Sequence, residues 1–311
     1  MAYNRRVSDA FEQPINASTR YCAVYGHPVK HSASPAMQNA GVAALGLNWR
    51  YLAFEVHPHD LRAALEGARL MKFVGVNLTV PHKVLAVEMV DVLDESARLW
   101  GAVNTVRFEG EEGREAWRPL GQMDELPRSV RSHGFNTDAD AICRAVVEDL
   151  GVVVAGARVL LLGAGGAGRT AALKLASESV GQLFLVNRTG EKAKAVEREI
   201  RSRWPSVEVT TGYPSGAVDL VLNATSLGLR PGDGLPLDES QFPLRQAGAV
   251  YDMIYRPAET PLLKAAKAAG CRVANGLSML LYQGAKALEI WSGKAAPIPI
   301  MRRALEKNVY G

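Results

Sequence analysis

The run Val159-Leu-Leu-Leu-Gly-Ala-Gly-Gly-Ala-Gly168, followed by Leu183-Phe-Leu-Val-Asn-Arg-Thr189, constrains the fold more than any other part of the chain. An apolar segment of strand type ends at Gly163, and Gly163, Gly165 and Gly168 complete G-x-G-x-x-G at the mouth of a helix predicted over 169–177. The first glycine permits a tight turn, the second lets a pyrophosphate approach backbone N–H groups at the helix N-terminus, and the third lets helix and strand pack closely. A Rossmann-like strand–helix–strand unit is therefore expected here. About 20 residues on, an NAD site would place Asp or Glu on the ribose 2′-hydroxyl, whereas this chain has Asn187-Arg188-Thr189. A carboxylate there would repel a 2′-phosphate. Arg188 can hold one through its planar fork, and Lys192 adds a point charge. The cofactor is read as NADP.

At 311 residues, 48% hydrophobic and 22% charged, the chain has room for two globular domains. Residues 1–20 are polar and carry Arg5 and Arg6 with no apolar stretch behind them, so they read as a flexible leader and not as a signal peptide. The most apolar segment, 150–168, is broken by Arg158 and rich in glycine, and no membrane span is expected. A cytoplasmic protein follows, as either a monomer or a homodimer. The net charge of +4 comes from interspersed Lys and Arg without a basic stripe, which argues against nucleic acid and suits small anionic ligands. The three cysteines are far apart, so neither a disulfide nor zinc is expected. His57-Pro58-His59 has no third ligand at suitable spacing and reads as an exposed turn, so no metal site is expected.

Periodicity divides the chain into two blocks. In the first, strands are predicted over 21–25, 49–56, 73–79 and 103–108 and helices over 35–45, 59–70 and 83–93, an alternation that implies an open, mostly parallel α/β sheet. Residues 109–133 are rich in Glu and Arg, contain Pro119 and Pro127 and show no clear period. They read as a surface insertion. A helix over 138–150 leads into the dinucleotide strand, after which strand and helix alternate to 274. Helices over 277–291 and 298–309 are expected to return to the first block. The fold class is α/β, with a substrate-binding catalytic domain formed by 21–138 and 277–311 and a Rossmann-like NADP domain formed by 139–276.

Ligands of open α/β sheets bind outside the carboxyl ends of the strands, so polar residues just after a strand carry most weight. Gly26-His-Pro-Val-Lys-His-Ser-Ala-Ser-Pro35 supplies Ser32 and Ser34, whose other reading is helix capping. Asn77-Leu-Thr-Val-Pro-His-Lys83 puts Asn77, Thr79 and Lys83 into one turn; Asn104 and Asp138 come from two further clusters. Hydroxyls, amides, one lysine and one carboxylate are what a polyhydroxylated acid requires. A nicotinamide enzyme also needs a group to move the hydroxyl proton, and Lys83 is the candidate.

These motifs, with Asn136-Thr-Asp138, Asn223-Ala-Thr-Ser-Leu-Gly228, Tyr251-Asp-Met-Ile-Tyr-Arg-Pro257 and Gly276-Leu-Ser-Met-Leu-Leu-Tyr-Gln283, resemble the shikimate dehydrogenase family. The resemblance implies NADPH-dependent reduction of 3-dehydroshikimate to shikimate, in the route to chorismate and the aromatic amino acids. It implies that Ser32 and Ser34 hold the substrate carboxylate, with Tyr255 nearby, and that Thr79, Asn104, Asp138 and Gln283 bind ring hydroxyls; Asn77, beside Thr79, is read as a further substrate-binding residue. Lys83 would be the acid/base, paired with Asp138. On the cofactor side, Gly163, Ala164, Gly165, Gly166 and Ala167 would hold the pyrophosphate, and Asn187, Arg188, Thr189 and Lys192 the adenosine phosphate end. Thr225 would also bind cofactor, with Met253 and Gly276 at the nicotinamide end. Gly26-His27-Pro28 in place of Gly-Asn-Pro, and the long 109–133 segment, depart from the family pattern. They leave quinate open as an alternative substrate, and a non-catalytic metabolite sensor of the same fold as an alternative class.

Overall fold

The structure is a computed structural model that describes residues 14–113 and 116–311. Residues 1–13 of the expected leader lie outside the described residues, while Asn16 to Thr19 form a turn whose Thr19 hydroxyl donates to Asn48 Oδ1 at 2.9 Å. The chain divides into two compact units. One runs to Thr137 and resumes over Gln283–Val309, and the other comprises Asp138–Tyr282 with Tyr310.

The first unit contains β1 (Arg20–Gly26), α1 (Ser34–Ala44), β2 (Trp49–Glu55), α2 (Leu61–Leu70), β3 (Gly75–Leu78), α3 (His82–Leu85), β4 (Val92–Leu93), α4 (Glu95–Trp100), β5 (Thr105–Glu112), β6 (Ala116–Pro119) and β7 (Val130–Phe135). The sheet order is β2-β1-β3-β5-β7-β4, with β6 paired to β5. Strand β1 is parallel to β2 and β3, whereas β5 is antiparallel to both β3 and β7. The carboxyl ends of β1, β3 and β7 and the amino end of β5 therefore share one edge. Leu61, Val76, Val106, Phe108 and Leu120, all fully buried, form the core beneath it.

The second unit contains α5 (Asp138–Leu150), β8 (Arg158–Leu162), α6 (Gly166–Ser177), β9 (Gln182–Val186), α7 (Gly190–Arg203), β10 (Glu208–Thr211), β11 (Val218–Asn223), β12 (Ala247–Asp252), α8 (Pro261–Ala268) and β13 (Arg272–Asn275). Its six strands pair in the order β10-β9-β8-β11-β12-β13, all parallel. Parallel strands covered by helices read as near-continuous apolar runs, and Leu160 and Leu162 of β8 and Val221 of β11 are fully buried.

Helix α9 (Leu277–Ser292) carries the chain back, and α10 (Ile298–Tyr310) follows. Trp291 of α9 is fully buried and donates its Nε1–H to the Val106 carbonyl at 3.0 Å. It can lie there because position 75 is glycine: a Cβ would stand 2.0 Å from that indole nitrogen. Gln38 of α1 donates to the Gly284 carbonyl at 2.8 Å, fastening the same helix at a second point.

Two sequence expectations are corrected. The predicted 83–93 helix is the one-turn α3, a 3-10 turn at Ala86–Glu88 and the short β4, and α4 was not expected. Asp94, extended after β4, starts α4 instead: its side chain accepts from Ser96 N–H and caps that helix. The 109–133 segment is not a surface insertion. It holds the end of β5, all of β6 and most of β7, and Glu109 is only 2% exposed.

Charge concealed the strand period there. Arg131 Nε donates to Glu109 Oε2 at 2.8 Å, His133 Nδ1 lies 3.0 Å from Oε1, and Arg107 pairs with the same carboxylate. Burial pushes the Glu109 carboxyl up, but hydrogen bonds from His133, Arg131 and Arg107 outweigh it and hold it at about 2. A carboxyl depressed in the fold contributes stability that is complete above its unfolded value and lost as pH falls toward its folded one. Glu109→Gln should cost roughly 3 kcal/mol at neutral pH, because three cationic or polar partners lose their anion. In urea titrations the gap between parent and variant should hold down to about pH 4.5 and narrow toward pH 2. A gap that is absent, or that widens with acid, contradicts this account of the cluster.

Candidate functional site

The shared edge of the first sheet gathers most of the residues expected to bind substrate. Ser34 opens α1 after the β1 loop and is 8% exposed, and its backbone N–H donates to Ser32 Oγ at 3.4 Å. Asn77 lies in β3, and the following turn closes with His82 N–H donating to the Thr79 carbonyl at 2.9 Å, which sets Lys83 in α3. The Val103 N–H donates to the Lys83 carbonyl at 2.8 Å, placing this turn beside Asn104. Asn104 does not follow a strand, as its motif suggested. It precedes β5, and reaches the carboxyl-end edge because β5 runs antiparallel to β3.

Buried hydrogen bonds connect these groups. The Tyr51 hydroxyl donates to Asn77 Oδ1 at 2.8 Å, and Asn77 Nδ2 donates to Thr105 Oγ1 at 3.0 Å and to the Asn104 carbonyl at 3.3 Å. Asn104 Oδ1 accepts from Thr137 N–H at 2.8 Å, and the Thr137 hydroxyl donates to the Gln283 carbonyl at 3.1 Å. Burial pushes the Tyr51 phenol well above its ordinary value, so its oxygen keeps its proton and remains a donor. Each such bond nets about 1 kcal/mol, but leaving one partner buried and unmatched costs about 1–3 kcal/mol. Tyr51, Thr105 and Thr137 were not expected at the site. Tyr51 reads in sequence as one more apolar strand residue, and only tertiary packing reveals where its hydroxyl goes.

In the second unit the carboxyl ends of the strands again carry the polar groups. From β8 the neighbours β9 and β11 lie on opposite sides, making this the switch point of the sheet, where ligands of doubly wound folds bind. A cleft of about 440 Å³ opens there, lined by Gly163, Gly165, Asn187, Arg188, Thr189, Lys192, Thr225, Ser226 and other residues. The glycines divide the work as expected. Gly163 has φ +102°, a conformation that L side chains rarely adopt, and a Cβ on Gly168 would stand 2.0 Å from the Gly163 carbonyl oxygen. At Gly165 and Gly166 a Cβ would meet nothing within 4 Å, leaving open space over the α6 N-terminus, which has no capping side chain.

Those uncapped N–H groups suit a pyrophosphate. Asn187 is an organiser of this loop, with Oδ1 accepting from Ala164 N–H at 2.9 Å and Nδ2 donating to the Thr189 carbonyl at 2.8 Å. Arg188 and Lys192 are exposed, and no carboxylate stands among the lining residues. The residues present therefore fit a dinucleotide bearing a 2′-phosphate.

Asp252, fully buried at the end of β12, ties the remaining loops together. It accepts from Thr260 Oγ1 at 2.6 Å, Ile254 N–H at 3.0 Å and Asn223 Nδ2 at 3.0 Å, while Asn223 Oδ1 accepts from the Thr225 hydroxyl at 2.8 Å. Burial raises the Asp252 carboxyl above its usual range, against the pull of these three donors. Met253 and Gly276 meet directly, since a Cβ at 276 would stand 2.0 Å from the Met253 carbonyl oxygen. Asp138, at the first position of α5, and Tyr255, after β12, belong to this second unit, unlike the other expected substrate ligands. Among the described residues, no group of three or more His, Cys, Asp or Glu is placed to hold a metal ion, and no helix is long and apolar enough to cross a membrane. His57 caps a 3-10 turn, accepting from His59 N–H at 3.3 Å.

Comparison with known proteins adds the family. Residues 24–106 match the shikimate dehydrogenase substrate binding domain, 146–226 the shikimate / quinate 5-dehydrogenase model, and 276–306 the shikimate 5′-dehydrogenase C-terminal domain. The shikimate dehydrogenase (NADP(+)) of Moorella thermoacetica is 42% identical over 94% of this chain and 95% of its own. A shikimate dehydrogenase crystallised with NADP+ superposes with a TM-score of 0.82 at 35% identity, covering 96% of this chain and 98% of the other. The enzyme from Thermus thermophilus, in complex with NADP(H) and shikimate, gives 0.77 at 34% identity over 93% and 99%. With the fold, the phosphate loop and the hydroxyl-and-amide edge in agreement with these similarities, the chain belongs to the shikimate dehydrogenase family.

Proposed function

We propose that the protein catalyses the reversible reduction of 3-dehydroshikimate to shikimate with NADPH, in the route to chorismate and the aromatic amino acids. The observation that carries this reading is the gathering of Ser32, Ser34, Asn77, Thr79, Lys83 and Asn104 at one edge of the first sheet. That set of two hydroxyls for a carboxylate, amides and a hydroxyl for ring alcohols, and one ammonium matches a small polyhydroxylated acid. We further read it as a cytoplasmic enzyme of small molecules, working as a monomer or homodimer, with the first unit binding substrate and the second NADP.

NADPH supplies the hydride. Gly163 to Ala167 hold its pyrophosphate, Asn187 to Lys192 its adenosine phosphate end, and Thr225, Met253 and Gly276 line the rest of its site. Ketone reduction builds negative charge on the carbonyl oxygen; the Lys83 ammonium stabilises that charge and delivers the proton to the oxygen. In the reverse direction the same nitrogen takes the proton from the hydroxyl. By resemblance to the family, Asp138 would be the second catalytic residue, and Gln283 and Tyr255 would be further substrate ligands.

Purified protein given shikimate and NADP+ should generate NADPH absorbance, and quinate or NAD+ should support much slower turnover. Faster turnover of quinate would reassign the substrate, and tight shikimate binding without turnover would favour a sensor. Lys83→Ala should lower kcat by about 10²–10⁴ with a modest change in shikimate affinity, the usual scale for a lost acid/base. A loss below tenfold removes Lys83 from proton transfer. Arg188→Ala should raise the KM for NADP+ by roughly 10-fold or more, the scale of a lost charge-assisted hydrogen bond, and leave the use of NAD+ nearly unchanged. An equal effect on both cofactors contradicts the 2′-phosphate assignment.

A further inference from the structure

We propose that Tyr51 is a positioning residue that fixes the Asn77 amide, so that Asn77 offers substrate an acceptor and never a donor, and selects a hydroxyl at the position it reads. The proposal rests on the reading above that Asn77 binds substrate. Tyr51 is 1% exposed, its backbone N–H and carbonyl are both bonded to the Asn39 side chain at 2.9 Å, and its ring lies 6.2 Å from that of Trp291. Backbone pairing and packing therefore hold the residue in place without help from the hydroxyl, and a phenylalanine would fill the same space. What the hydroxyl adds is a donation to Asn77 Oδ1 at 2.8 Å.

The amide has no freedom to reverse. One Nδ2 proton goes to the Asn104 carbonyl at 3.3 Å, a group that only accepts, and the other to Thr105 Oγ1 at 3.0 Å. Turning the amide over would set Asn77 Oδ1 against the Asn104 carbonyl, acceptor against acceptor, and strand the Tyr51 proton. With both protons and one Oδ1 lone pair committed, the second Oδ1 lone pair is the open hydrogen-bonding position of the side chain. A substrate hydroxyl can donate to it, whereas a carbonyl, ether or carboxylate oxygen meets only repulsion. Sites built to pair a hydroxyl reject analogues that lack it strongly, because the protein group is then left unmatched. Without the Tyr51 hydroxyl, Oδ1 loses its fixed donor, and the amide can tilt or bind water in its place.

The test is a double-mutant cycle of Tyr51→Phe and Asn77→Ala, read as KM for shikimate, KM for NADP+, kcat and melting temperature. Tyr51→Phe should raise the shikimate KM by roughly 5- to 100-fold, as expected for a buried amide losing its partner. It should keep the NADP+ KM within about twofold and the melting temperature within a few degrees, because ring packing is retained. In the Asn77→Ala background, adding Tyr51→Phe should change the shikimate KM by less than about twofold, since the two changes act through one contact. An unchanged KM in Tyr51→Phe overturns the role of Tyr51 while leaving Asn77 as a ligand. A loss of the same size in both backgrounds overturns the route through Asn77. Equal rises in both KM values with a large fall in melting temperature assign Tyr51 to folding alone. If Asn77→Ala by itself leaves the shikimate KM unchanged, the reading of Asn77 as a substrate ligand fails, and the proposal with it.

Discussion

Burying a polar group is costly unless its hydrogen bonds are met inside the protein, and that cost shapes the polar interior of both units. In the first unit it produces the run from Tyr51 through Asn77, Thr105, Asn104 and Thr137 to the Gln283 carbonyl. In the second it produces the knot of Asp252, Asn223, Thr260 and Thr225. Each unmatched member would cost about 1–3 kcal/mol, a large share of the margin that keeps a domain folded. Groups held this firmly are pre-oriented for a ligand, so the same accounting that preserves the fold also suits the proposed site. Glu109 obeys the rule with charges, where three partners offset the burial of one carboxylate.

Strand direction decides where those groups fall. Six parallel strands place the ends of β8, β9, β11, β12 and β13 on one side of the second sheet, with the glycine turn at the switch point. The first sheet reaches a similar result less directly. Its one long antiparallel strand, β5, begins where its neighbours finish, so Asn104 and Thr105 face Asn77 across the β3–β5 pairing. A parallel strand in that place would have carried the two residues to the opposite edge. The roles proposed for the two units have a physical counterpart: glycine and exposed cations suit phosphates, while amides and hydroxyls suit ring alcohols and a carboxylate.

Much of this was legible in the sequence, and what was not has a common cause. Local signals were enough for the helix at Asp138–Leu150 and for most strands of the second unit, because apolar runs there are bounded by glycine, asparagine and proline. The phosphate loop was legible because each glycine answers a steric demand of its own turn, as the 2.0 Å approach at Gly168 shows. The segment over 109–133 reads as an insertion in sequence because its charged residues are satisfied by one another inside the sheet, a pairing that no window of sequence displays. The place of Asn104 depends on the direction of a strand that periodicity cannot orient. Tyr51 is not legible as a site residue, because a strand tyrosine looks like any other core aromatic until its hydroxyl is followed to Asn77.

The central claim is that the edge of the first sheet reads the substrate through amides locked in one orientation. A high-resolution crystal structure of the protein with shikimate tests it most directly. The account predicts a shikimate hydroxyl within hydrogen-bond distance of Asn77 Oδ1, with the Tyr51 hydroxyl still bound to the same oxygen and Asn77 Nδ2 still directed at Thr105 and the Asn104 carbonyl. Shikimate bound away from Asn77, or an amide turned so that Nδ2 faces the ligand, would contradict it.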